Sequence, residues 1–225
     1  MATVLAGTLV GVLAGSRLPE GMQQRVLGGL GLVTLVIGVD LALEWRETQA
    51  LPLYVLGGVV LGGIVGEALA IEARLERLGD RIQAATSSGE GSTVSQAFVT
   101  ASLLFCVGPL TVVGAIQDGL TGDHEALVTK SLLDGFASVA LASTLGWGVA
   151  ISALTILIVQ GGISLGAGVF EDVLVGETLS ALTSAGGILI IGISLKLLAL
   201  KDVRVGNFLP ALVIAPALVG LFSLF

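Results

Sequence analysis

The chain has 225 residues, of which 54% are apolar and a further 33 are glycine. Its 10 Lys/Arg and 17 Asp/Glu make up 12% of the chain, where a soluble domain carries about 25%. With a net charge of −7 and a mean hydropathy of +1.02, this excludes a soluble enzyme, a disordered chain and a nucleic-acid binder, and leaves an all-α integral membrane protein.

Hydropathy predicts about eight transmembrane helices, over 2–15, 26–43, 53–71, 97–116, 126–145, 148–170, 179–200 and 207–225. The first is short and follows no basic region, so it is read as a retained span rather than a signal peptide. The long apolar run 125–170 is split at Gly146-Trp147-Gly148. One transmembrane domain covers 1–225. Its first half, 1–84, includes an interfacial helix over 72–83, where Leu75, Leu78 and Ile82 recur among charges. A flexible link covers 85–96, built around the Ser/Gly-rich Thr86–Thr93, and the second half is 97–225.

With eight spans, Arg17, Arg25, Arg74, Arg77, Arg81, Lys201 and Arg204 share one side and only Arg46 lies opposite. The basic side is the cytoplasm, so both termini face outward. The outward loops hold Glu44, Glu47, Asp118, Asp123, Glu125, Glu171, Asp172 and Glu177.

An internal repeat is visible. Leu35–Leu41 (LVIGVDL) matches Leu189–Leu195 (LIIGISL) at four of seven positions, with two Val/Ile exchanges. Gly7–Gly15 resembles Gly161–Gly168, and Leu51-Pro52 has a counterpart in Leu209-Pro210. Helices 1–3 thus repeat as helices 6–8. An offset of five spans inverts the second copy, as in secondary transporters. Gly7/Gly11/Gly15 and Gly58/Gly62/Gly66 form small-residue faces, suited to packing within the chain and also to a homodimer.

Charges in hydrocarbon need a reason. Lys130 and Asp134 stand one turn apart on the fifth helix, and Ser138 continues the row. They form either a self-neutralising pair or a site for a proton or cation. Asp134 lies about 12 Å into its helix at ~1.5 Å per residue. On the fourth helix, Pro109 crowds the carbonyl of Phe105, so the helix should kink or unwind at Gly108-Pro109 and expose carbonyls. Gln117 and Asp118 close that helix, and Asp118 with Asp123 forms an acidic vestibule or a pair of solvated charges. Gln160, in the sixth helix, is a helix clasp or a ligand contact. Asp40, Glu67 and Lys196 lie near helix ends and rank lower.

Gly162-Ile163-Ser164-Leu165-Gly166 matches a nucleophile elbow but lies within an apolar span, and the single histidine, His124, is distant in sequence. One His and one Cys, Cys106, leave no zinc set. No enzyme activity, cofactor or nucleic-acid partner is expected, and the metal question stays open.

The stretch Ser102–Asp123, with Thr129–Leu145 and Val203–Pro216, resembles the YdfK/YqgA family of bacterial inner-membrane proteins. The resemblance spans nearly the whole chain. It implies a multi-pass bacterial protein, often regarded as a transporter, and no substrate. The family-like positions are Cys106, Pro109, Gln117, Asp118, Lys130, Asp134 and Asn207. Asp134–Ser138 is also similar to the Asp-x-Phe-Ala motif of LysE-type manganese exporters, whose further intramembrane acids have no counterpart here. The expected function is secondary transport of a small ion or solute, coupled to H⁺ or a cation at Asp134. The alternatives are a passive channel, or a scaffold or sensor acting through helix 72–83.

Overall fold

The computed structural model describes residues 1–15, 18–85, 93–170 and 174–222. These residues form helices and connecting turns, without a strand among them. The helices are α1 (Ala2–Gly15), α2 (Glu20–Ala42), α3 (Leu51–Ala68), α4 (Ile71–Ala85), α5 (Val94–Val107) and α6 (Pro109–Thr121). They continue with α7 (Glu125–Leu145), α8 (Ser152–Leu165), the single turn α9 (Ala167–Phe170), α10 (Glu177–Leu197) and α11 (Ala211–Phe222). Short 3₁₀ turns precede α8 and α11 and follow α2. Most of the predicted link Thr86–Thr93 lies outside the described residues, as do Arg17, Glu171, Asp172 and 223–225.

Among the described residues, six helical segments are long and apolar enough to cross a membrane. The predicted fourth span is two helices, α5 and α6, bent by 60° at Gly108. The first, α1, is apolar but only 14 residues long. The predicted sixth span ends at Leu165 rather than 170, with α9 after it.

The helices pack through the glycine faces. Gly7, Gly11 and Gly15 lie against Gly135, Val139, Ala142 and Ser143, so α1 runs parallel to α7. Gly58, Gly62 and Gly66 lie against Ala215, Ala211 and Asn207, so α3 runs antiparallel to α11. Gly31 meets Leu198 and Gly38 meets Ile191, making α2 antiparallel to α10. With no Cβ at these positions the backbones approach closely, which compensates for the absence of a hydrophobic drive between helices in lipid. Both small-residue faces are therefore used within the chain.

The core surrounds α5 and α10. Phe98, Phe105, Leu141, Ile156, Leu189 and Ile193 are buried there. The peripheral helices are apolar outside as well: Leu53, Val36 and Phe136 are 69%, 69% and 76% exposed. Large apolar side chains pointing away from the core over whole helices are what a chain in hydrocarbon needs and a soluble one cannot carry.

Helix α4 has a different character. Glu72 and Gly79 are buried, and Leu75 packs against the main core. Of the predicted apolar row, Leu78 is exposed and Ile82 is half-buried. Leu75 thus docks α4 on the rest of the chain, while Leu78 stays open. Arg74, Arg77 and Arg81 line a surface hollow together with Leu78.

Candidate functional site

The break between α5 and α6 follows from one residue. Pro109 has no N–H to offer the carbonyl of Phe105, and its ring would clash there. Gly108 is extended (φ −68°, ψ 148°), and α6 starts afresh with Pro109 in its first turn. The freed Phe105 carbonyl accepts a hydrogen bond from the Thr111 hydroxyl at 3.0 Å. The polar group left by the break is thus satisfied locally, as a buried carbonyl must be.

Opposite the break, α7 presents Lys130 and Asp134. The Lys130 ammonium donates to the Asp134 carboxylate, one turn on. Their side chains are 7% and 13% exposed. Asp134 therefore has its own helix-mate as its ion-pair partner. Yet the pair is not sealed. Both residues, with Gly108, Thr34 and Thr111, line a cavity of about 460 Å³ between α2, α5, α6, α7 and α10. The rest of its wall is chiefly apolar, including Leu30, Val33, Ile37, Leu104, Leu133 and Phe136.

Ser138 is not part of that wall. It is fully buried at the α1 contact, near Gly7, and its hydroxyl donates to the Asp134 backbone carbonyl at 2.6 Å. Successive i,i+4 positions drift round a 3.6-residue helix, by about 80° over two turns. The row therefore rotates from the cavity to the neighbouring helix.

Gln117, Asp118, Gln160 and Asn207 also lie outside the cavity wall. Gln117 is exposed and Gln160 half-buried. Asp118 clamps the far end of α6: it accepts the Ser164 hydroxyl at 3.0 Å and sits 3.1 Å from His124 Nδ1. Asp123 accepts the Glu125 N–H at 3.0 Å, capping α7. These two acids stand at the ends of adjoining helices, and Asp123 is exposed. Ser164 and His124 occupy opposite oxygens of one carboxylate, so the serine faces no imidazole base.

Asn207 belongs to a second polar network that residue patterns did not reveal. Its Nδ2 donates to Glu67 Oε2 at 2.6 Å, and its Oδ1 accepts the Glu72 N–H at 2.8 Å. The Glu72 side chain is 2% exposed; it accepts the Gly206 N–H at 2.8 Å, with Lys196 Nζ at 3.4 Å. Lys196 also reaches Asp202 at 3.1 Å. The network ties α4 to the turn before α11. Burial pushes the Glu72 carboxyl above its ordinary range, with the Gly206 N–H and Lys196 pulling it back. The folded chain thus holds that proton more tightly than the unfolded one. Its contribution to stability is full below the usual carboxylate range and is lost as pH rises through the raised value. Thermal unfolding in detergent should show a fall in stability over that window, flattened in Glu72→Gln. Asn207→Ala, which orphans the buried Glu72 N–H and frees the exposed Glu67 carboxylate, should cost about 1–3 kcal/mol at any pH.

Among the described residues no group of three or more His, Cys, Asp or Glu is placed to hold a metal ion.

The chain is similar to two curated bacterial proteins. It is 29% identical to the uncharacterized membrane protein YdfK of Bacillus subtilis (strain 168) over 222 residues, covering 99% of this chain and 94% of the relative. It is 27% identical to the uncharacterized protein YqgA of Escherichia coli (strain K12) over 212 residues, covering 94% and 90%. No solved structure matches. The family model described as protein of unknown function (DUF554) matches residues 1–220, and the chain belongs to that family of multi-pass membrane proteins.

Proposed function

We propose that this protein is a secondary transporter of a small ion or solute, with Asp134 as the group that takes up and releases the coupling proton or cation. The observation that carries the reading is a buried Lys130–Asp134 pair on the wall of a cavity that also holds the helix break at Gly108. A charge pair inside hydrocarbon is costly, and such residues mark pathways and relays. Broken helices are tolerated where they line a cavity.

The chain crosses the bacterial inner membrane eight times, with both termini outside, and α5–α6 and α1 count as spans. Helix directions support this. Alternate crossing makes α1 parallel to α7, and α3 and α2 antiparallel to α11 and α10, as their contacts require. Helices 1–3 and 6–8 are inverted copies. In support, the Gly38–Ile191 contact falls inside the two matched heptapeptides, and α1 lies along α7 as α8 lies along α5–α6. The two bundles rock about these contacts to expose the cavity alternately. We read no enzyme activity into Ser164, whose hydroxyl is tied to the Asp118 carboxylate rather than to an imidazole. Two copies of the chain pairing remains compatible with this scheme, but the glycine faces are not the surface they would use.

The test is flux into proteoliposomes of amino acids, organic acids and divalent cations, with and without a proton gradient. Gradient-driven, saturable uptake is expected. Asp134→Asn should abolish the coupling while the protein still folds and inserts, with a lowered unfolding temperature because the Lys130 ammonium loses its counter-charge. Undiminished coupled flux in that variant overturns the assignment, and flux that does not saturate indicates a passive pore instead.

A further inference from the structure

The walls and mouth of the cavity say what kind of molecule it accepts. Val33 and Ile37 of α2 and Leu133 and Phe136 of α7 line it, yet they are 58%, 46%, 54% and 76% exposed. The cavity therefore opens sideways, between two membrane-embedded helices, onto the apolar surface of the protein. Its volume of about 460 Å³ falls within the roughly 300–1,000 Å³ of sites for small organic molecules. A bare cation needs several oxygens, and Asp134 supplies the one carboxylate in the wall. A polyol would leave its hydroxyls unpaired against Leu, Val and Ile. An apolar body with a single charged head meets every part of the lining.

Two features fix the sign of the head. Lys130 presents an ammonium to the cavity, and the N-terminal end of α6, which carries no side-chain cap, begins at the lining residue Gly108. A helix N-terminus carries partial positive charge. An anion that takes Lys130 must displace Asp134, leaving a carboxylate uncompensated in a low-dielectric site unless it gains a proton. One proton per anion keeps the site neutral. The groups that face Asp134 electrostatically are Lys130 on its own helix, the chain's amino terminus at α1 and, from α5, the Cys106 thiol.

Building on the transport reading of the same site, we propose that the cavity binds an amphiphilic monocarboxylate. Its carboxylate sits on Lys130 Nζ and its hydrocarbon part lies between α2 and α7. The Lys130–Asp134 contact opens, and a proton from solution bonds to an Asp134 carboxylate oxygen. No other bond forms or breaks.

The experiment uses the full chain in phosphatidylcholine nanodiscs, titrated with decanoate by calorimetry in buffers of different ionisation enthalpy, with empty nanodiscs as the blank. Saturable binding with uptake of about one proton per decanoate is expected. Asp134→Asn should bind decanoate without proton uptake, and Lys130→Gln should weaken binding by about tenfold or more. Should Lys130→Gln fail to fold, Ala140→Phe, which fills the apolar wall and spares the pair, should lower affinity equally. The proposal is overturned if leucine or Mn²⁺ saturates the site and decanoate does not, if no proton is taken up, or if phosphatidylglycerol in the disc abolishes decanoate binding and marks a lipid site. Binding with proton uptake but no flux sinks the transport reading alone. Coupled flux of another solute without decanoate binding sinks this one alone.

Discussion

Gly66→Ala will loosen α3 from α11 and lower stability by about 1–3 kcal/mol, at the upper end of that range. A Cβ at Gly66 would overlap the Asn207 carbonyl oxygen, and at Gly62 and Gly58 it would meet the backbone of Ala211 and Ala215. Backbone cannot rotate aside as a side-chain tip can, so the helices must separate to accommodate the methyl group. Separation at Gly66 has a second cost, because Asn207 carries the hydrogen bonds to Glu67 and Glu72. Gly28 is the control. It sits in α2, and a methyl group added there would meet nothing within 4 Å. Gly28→Ala should be neutral or stabilising by up to ~1 kcal/mol through helix propensity. Thermal unfolding of both variants in the same detergent reads the difference. Equal losses would mean that glycine matters here for propensity rather than for close packing.

The parts of this fold that sequence made legible are those set by local chemistry. Apolar runs of bilayer length mark helices because the surrounding oil demands them along the whole run. Pro109 marks the break because a missing N–H acts on a carbonyl four residues earlier. The Lys130–Asp134 pair is legible because i,i+4 spacing brings the groups together on any helix. The Glu72–Asn207 network is of another kind. Its partners are 135 residues apart, and they meet only because the chain reverses at Ala70, in the left-handed region at φ 49°. Glycine would announce such a turn and alanine does not. The same holds at Ala199, φ 54°, after α10. Glu72 therefore reads as one more charge on an amphipathic helix, although it is the most buried acid of the chain's described residues. Asp118 fails in the opposite sense: a loop-end acid looks free until Ser164, 46 residues on, is brought beside it.

The second large effect concerns the pair itself. Lys130→Met alone will be strongly destabilising, by about 3–5 kcal/mol, because it leaves the Asp134 carboxylate buried without its partner. Combining it with Asp134→Leu removes the orphaned charge and will recover most of the loss, since apolar replacements of a buried ion pair are often neutral or better. Stability measured on the wild type, both single variants and the double variant gives the coupling between the residues. Additive singles would mean that the two groups do not interact, and a double variant clearly weaker than the native chain would mean that the pair contributes net stability. We expect the reverse: a double variant that folds at least as well as the native chain, inserts in the membrane, and carries nothing. Asp134 lines a cavity whose wall is otherwise chiefly apolar, so a leucine there would suit its surroundings. On the transport reading proposed above, the pair is there for what it exchanges, and a double variant that still transports would place the exchange elsewhere.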